Sequence, residues 1–214
     1  MPSSMAIYPR VPILAEVNSK IATHAGLPWV HPWQRSPLLK YQLRKTETYT
    51  LAAGEDYVCR MAFDGTHVWV GLDTIPGKIL KVNPVDGSYV VYALATGEDF
   101  IWSLAFDGTH VWAGLWTEPG KILKVNPADG SYVVYTLAAG EDYVETLAFD
   151  GTHVWAGLDT SPGKILKVNP ADGSYVVYTL AAGEDEVFAL AFDGTHIWAG
   201  LDAAPGKIVR FTKI

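Results

Sequence analysis

Cysteine occurs once in the 214 residues, at Cys59. One thiol excludes an intramolecular disulfide framework and a cysteine-built zinc cluster, and no metal or cofactor is expected. Charge is scarce as well, at 18% of residues against roughly 25% in an average soluble domain. What charge there is leans acidic, with 16 Lys and Arg against 23 Asp and Glu and a net −7. That balance argues against a general phosphate-neutralising surface, so nucleic acid is not an expected partner. No apolar run approaches the ~18–20 residues of a membrane span. The opening MPSSMAIYPRVPILAEV lacks a basic stretch followed by a continuous apolar core, so no secretory leader is expected. The expected location is therefore cytoplasmic or virion-associated rather than secreted. Methionine is also rare, with three, whereas tryptophan and tyrosine number eight and eleven. With 49% hydrophobic residues the chain is not disordered, and its aromatic bias points to a rigid β fold.

A repeat dominates what is present. Phe-Asp-Gly-Thr-His occurs four times, its glycine at Gly65, Gly108, Gly151 and Gly194, always 43 residues apart. Residues 94–135 and 137–178 differ at only seven of 42 positions, which points to recent duplication or deliberate construction. Within one unit the pattern predicts four short strands, at 143–149, 153–158, 164–168 and 174–180. An Asp150-Gly151 turn, a Pro162-Gly163 turn and an Asn-Pro-Ala-Asp-Gly turn separate them. No segment carries a 3.6-residue apolar period, so helix is not expected. Four strands per unit of ~40–50 residues is the signature of a β-propeller blade.

The termini set the expected blade count. The last repeat lacks its Ser-Tyr-Val-Val-Tyr strand, and Ser4-Met5-Ala6-Ile7-Tyr8 resembles it. Ser36-Pro37-Leu38-Leu39-Lys40-Tyr41 and Thr48-Tyr49-Thr50-Leu51 resemble the second half of a worn repeat. The expected architecture is one all-β domain over residues 1–214, a five-bladed propeller. Residues 4–10 supply the closing strand and 11–51 a degenerate blade, followed by blades at 52–94, 95–137, 138–180 and 181–214. The alternative is four blades closed by residues 46–51, with the N-terminal residues as an arm. Closure at the termini would remove an open sheet edge. The unit Leu-Ala-Phe-Asp-Gly-Thr-His-Val-Trp-Ala-Gly, then Lys-Ile-Leu-Lys-Val-Asn-Pro-Ala-Asp-Gly, resembles NHL and YVTN propeller repeats. That grouping includes virginiamycin B lyase-like and SMP-30-like proteins. The resemblance covers residues 51–214, lacks the WD40 dipeptide and implies a blade rather than an activity. No catalytic residue of those relatives is matched to a position here, so none is assigned.

Comparing the copies separates scaffold from candidate site. The Phe-Asp-Gly-Thr-His turn and the strand after it are nearly invariant, which assigns Trp69, Trp112, Trp155 and Trp198 to packing between blades. His67, His110, His153 and His196 lie too far from the axis to share one metal, and are expected to hydrogen-bond locally. Variation concentrates at the start of the inner strand: Tyr57/Phe100/Tyr143/Glu186, Cys59/Trp102/Glu145/Phe188 and Arg60/Ser103/Thr146/Ala189. It recurs in the second turn, at Asp73/Trp116/Asp159/Asp202 and Ile75/Glu118/Ser161/Ala204. In an up-and-down blade both places emerge on the same face of the ring. The worn copy is lengthened at the corresponding turn, residues 28–35.

The candidate ligand-binding residues are Trp29, His31, Trp33, Arg35, Arg60, Trp102, Trp116, Glu118 and Glu145. Their rings would stack on sugars or anchor a protein. Glu55-Asp56, Glu98-Asp99, Glu141-Asp142 and Glu184-Asp185 add carboxylates to that face, expected as solvated turns partly neutralised by Lys78, Lys121, Lys164 and Lys207. Cys59 is expected to be a small buried residue. The leading functional expectation is a non-enzymatic, lectin-like or protein-binding module, with a monomeric disc as its assembly state. The alternatives are a structural component, for example of a virion, and a glycoside-active or lyase-type enzyme using Glu118, Glu145 or Glu186.

Overall fold

The computed structural model describes residues 47–212. The chain divides into two units, Met1–Thr48 and Tyr49–Ile214, and nearly all described residues belong to the second. The expected closing strand and most of the degenerate blade lie outside the described residues, as do Trp29, His31, Trp33 and Arg35.

The described residues form fifteen strands and no helix, in four antiparallel sheets. The first blade comprises β1 (Val58–Phe63), β2 (Val68–Leu72), β3 (Lys78–Val82) and β4 (Tyr89–Ala93). The second has β5 (Ile101–Phe106), β6 (Val111–Leu115), β7 (Lys121–Val125) and β8 (Tyr132–Thr136). The third has β9 (Val144–Phe149), β10 (Val154–Leu158), β11 (Lys164–Val168) and β12 (Tyr175–Thr179). The fourth is three-stranded, with β13 (Val187–Phe192), β14 (His196–Leu201) and β15 (Lys207–Thr212). Strands pair in sequence order within each blade, and β1, β5, β9 and β13 pack against one another as the inner ring. This is a β-propeller. Residues 47–51 form no strand, and none of the described residues adds a fourth strand to β15, so the four-bladed closure by residues 46–51 is not observed.

The blades adhere because both faces of each sheet are apolar. Lys-Ile-Leu-Lys-Val of β7 buries Ile122 against the third blade and Leu123 against the first, rather than alternating core with solvent. Trp69, Ile79 and Leu94 of the first blade pack on Ile101, Ala113 and Leu123 of the second. Trp112 and Ile122 meet Val144, Ala156 and Leu166 of the third, and Trp155 and Ile165 meet Val187 and Ala199 of the fourth. A glycine permits the approach: a Cβ on Gly71 would lie 2.5 Å from Ile101 Cγ2, and one on Gly157 2.6 Å from Val187 Cγ1.

The Phe-Asp-Gly-Thr-His motif orients the tryptophan. Asp64 Oδ1 accepts from the amides of Thr66 and His67 at 2.7 and 2.6 Å, and Oδ2 accepts from the Trp69 indole at 2.8 Å. The same indole bond joins Trp112 to Asp107, Trp155 to Asp150 and Trp198 to Asp193. Burial would raise the Asp64 carboxyl. The hydrogen bonds from Trp69, His67 and Thr66 together outweigh it and hold the group well below the ordinary carboxylate range. The histidines are local, as expected: His67, His110 and His153 each share Nδ1 with the preceding threonine hydroxyl at 2.9 Å.

Candidate functional site

Strand register places the two variable columns at one set of strand ends. Val58, Leu72, Lys78 and Ala93 pair across the first blade at that end, whereas Phe63, Val68, Val82 and Tyr89 pair at the other. Backbone bonds then stitch the variable segments of neighbouring blades together. Phe100 N donates to Thr74 O at 3.1 Å and Gly77 N to Glu98 O at 2.8 Å. Within a blade, Trp116 N donates to Phe100 O at 2.9 Å. The same bonds recur from blade to blade, so each loop is held by its neighbours while its side chains differ.

The residue before each inner strand adopts a left-handed backbone, with φ of 54° at Tyr57, 53° at Phe100, 54° at Tyr143 and 45° at Glu186. Bulky residues avoid this region, at a cost of roughly 1–2 kcal/mol each. Its recurrence makes it part of the blade design, and it sets the direction in which the first variable side chain leaves the sheet.

Five of the nine candidate residues lie among the described residues, and the structure brings all five together. Arg60 Cζ stands 5.6 Å from the Trp102 ring centre, and Nη2 lies 3.5 Å from Glu145 Oε1. Trp102 stacks on Trp116 at 5.5 Å, and Trp116 lies 4.6 Å from the Tyr143 ring. Tyr143 donates its hydroxyl to Glu118 Oε2 at 3.2 Å. The result is a row of three rings from the second and third blades, capped by the Arg60 guanidinium of the first, with a carboxylate at each end. Tyr143 belongs to this row, and sequence reasoning did not select it, although it lies in a column that varies between copies.

Electrostatics around the row are unfavourable for carboxylates. Burial pushes Glu145 up; the Arg60 guanidinium opposes this, while Asp159 and Glu186 add to it. Burial followed by the Glu118 charge raises Asp142, with Lys164 opposing. Glu186 is raised first by Asp159, then by burial and by Asp202 and Asp185. These groups prefer a proton or a cation nearby more than an ordinary surface acid does.

The lysines reach the acidic turns through backbone carbonyls, and Lys164 offsets part of the charge around Asp142. Lys78, Lys121, Lys164 and Lys207 donate to the carbonyls of Gly54, Gly97, Gly140 and Gly183. The glutamates are bound otherwise: Glu55 accepts from Tyr89 and from Ala52 N, a pattern repeated at Glu98 and Glu141. These glutamates therefore build the turn, while of the aspartates after them Asp185 accepts from the Ser161 hydroxyl at 2.8 Å. Cys59 is half-buried rather than buried, with its thiol pushed up by burial and by Asp73. No group of three or more metal-ligating side chains forms among the described residues. A cleft of about 290 Å³ on the third blade is lined by His153, Lys167, Asn169 and Tyr175. Its residue types recur in the second blade, so it belongs to the repeat rather than to the diversified surface.

No protein-family model matches the sequence, and no curated protein matches it. Solved structures do resemble the fold. The computationally designed Ika4 protein aligns with a TM-score of 0.62 at 18% identity, over 79% of this chain and 99% of its own. Virginiamycin B lyase from Staphylococcus aureus, solved with quinupristin, gives 0.61 at 15% identity, over 78% of this chain and 59% of its own. The β-propeller domain of Cps50 (Swd1) from Myceliophteria thermophila gives 0.54 at 17% identity, over 72% of this chain and 51% of its own. At such identities the likeness establishes the architecture alone: the chain is similar in fold to virginiamycin B lyase and other propellers, and it is a β-propeller.

Proposed function

We propose that the protein is a non-enzymatic binding module that engages a glycan or protein partner through the face carrying the variable loops. One observation carries this reading: the residues that differ between otherwise near-identical blades meet in a single contact network. Arg60, Trp102, Trp116, Tyr143, Glu118 and Glu145 come from three blades. Repeat identity maintains the scaffold, and freedom to vary is concentrated where side chains converge. Half-buried aromatic and arginine side chains on a rigid support are the residue types that dominate interface energetics. A preorganised frame also limits the ordering cost of binding.

The test compares wild type with Trp102→Ala and Trp116→Ala on a glycan array and on a peptide array. A signal on either array that both substitutions abolish is the expected result. No signal on both arrays, or a signal indifferent to both substitutions, overturns the reading.

A further inference from the structure

We propose that this face takes a basic peptide segment, seating an arginine or lysine side chain against the aromatic row where the Arg60 guanidinium now lies. The inference rests on the binding-module reading and adds the charge class of the partner.

Arg60 shows how such a cation is held. Its guanidinium stands 5.6 Å from the Trp102 ring centre and 3.5 Å from Glu145. The Arg60 side chain is 43% exposed and that of Glu145 only 1%. The carboxylate is thus fixed in the wall of the site, and the cation reaches it on a long, solvent-exposed stem. A 3.5 Å contact lies at the outer limit of a hydrogen bond, so this pairing is weak and open to exchange. Trp102 accepts the cation over its ring, an attraction that strengthens as water is excluded.

Charge balance favours a second cation. Glu145 and Glu118 stand at the ends of the row, Asp159 and Glu186 act on Glu145, Glu118 acts on Asp142, and Arg60 pairs with Glu145. Lys164, also nearby, gives its ammonium to the Gly140 carbonyl. Sugar stacking fits less well. Trp116 already stacks with Trp102 and Tyr143, and Trp102 with Trp116 and the Arg60 guanidinium, so the faces a pyranose ring would use are engaged.

The test measures binding of a fluorescein-labelled hexa-arginine peptide to the full chain by anisotropy, with thermal melts confirming that each variant is folded. Wild type binds, and more weakly as salt is raised. Arg60→Ala vacates the ring and frees Glu145, and tightens binding about tenfold. Trp102→Ala and the near-isosteric Glu145→Gln each weaken it about tenfold. Asp129→Asn removes the same charge from the turn between β7 and β8 and leaves binding unchanged. Equal weakening by Glu145→Gln and Asp129→Asn shows attraction by net charge alone and overturns the proposal. Binding of a neutral oligosaccharide that is lost in Trp102→Ala, with none of hexa-arginine, overturns the cationic preference and leaves the binding-module reading standing. No binding of either probe overturns the preference and counts against that reading as well.

Discussion

The second and fourth described blades carry almost the same inner motif, yet their tryptophans live in different surroundings. Trp112 is fully buried, whereas Trp198 is 36% exposed, although each donates its indole N–H to an aspartate at 2.7 Å. The first strands of these two blades do not differ in this way, since Ile101 and Val187 are both fully buried; the exposed counterpart is Val58 of the first blade, at 48%. A local motif therefore fixes the ring's orientation, and a neighbouring blade fixes its burial. Trp112 has Val144, Val154 and Ala156 of the third blade against it. No further described blade follows Trp198. Identical sequence does not give identical energetic weight.

Substitutions at matched positions test that comparison directly. Trp112→Ala should cost about 3–5 kcal/mol, as expected for a large buried aromatic; chemical denaturation compares it with Trp198→Ala, where a smaller loss matches cover by the described blades alone and an equal loss shows that residues outside them cover the ring. Gly114→Ala should destabilise by more than 1 kcal/mol on the order set by overpacking, because its Cβ would stand 2.5 Å from Val144 Cγ1. Gly200→Ala should be nearly silent, since the nearest atom to its Cβ is Ala189 Cβ at 3.7 Å. The five-blade expectation meets its test at the same ends: deleting residues 1–10 should lower the melting temperature, and an unchanged melt would sink closure by residues 4–10.

Acid titration separates the scaffold from the variable face. Asp64, Asp107, Asp150 and Asp193 all have depressed carboxyls. Their stabilisation is present above the unfolded value near pH 3.9 and is lost as pH falls towards the folded one. Glu145, Asp142 and Glu186 are raised instead, so their ionisation opposes folding at neutral pH. Stability should rise modestly as pH falls from 7 towards about 4.3 for the glutamates, then drop once the aspartates protonate. A melting profile of Glu145→Gln should show a smaller rise; an unaltered rise would remove Glu145 from the account. A small effect of the opposite sign is expected for Glu186→Gly. It relieves a left-handed φ of 45° and the repulsion from Asp159, and should gain about 1 kcal/mol at neutral pH.

Much of this was legible because the chain repeats. The strands expected at residues 143–149 and 164–168 appear as Val144–Phe149 and Lys164–Val168. Alternating apolar runs and Asp-Gly or Asn-Pro turns are local signals, and four copies reinforce each one. Comparing copies also selected Arg60, Trp102, Trp116, Glu118 and Glu145 before any coordinates. Tyr143 lies in a variable column as well, but with aromatic counterparts at Tyr57 and Phe100 nothing in that column singled it out. The charge pattern placed the lysines beside the acidic turns but could not show their acceptors, because the Gly54-type carbonyls are backbone groups that no side-chain pattern announces.

Sequence alone determined the blade, since turns, β-branched runs and the Asp-to-Trp hydrogen bond are settled within a few tens of residues. It also determined which columns were free to change. Tertiary structure decided which of those residues touch, because Arg60, Trp102 and Glu145 are about forty residues apart in the chain and meet only through the inner ring of strands. It likewise decided how much each repeated tryptophan is buried, because burial belongs to a pair of blades and not to the motif within one.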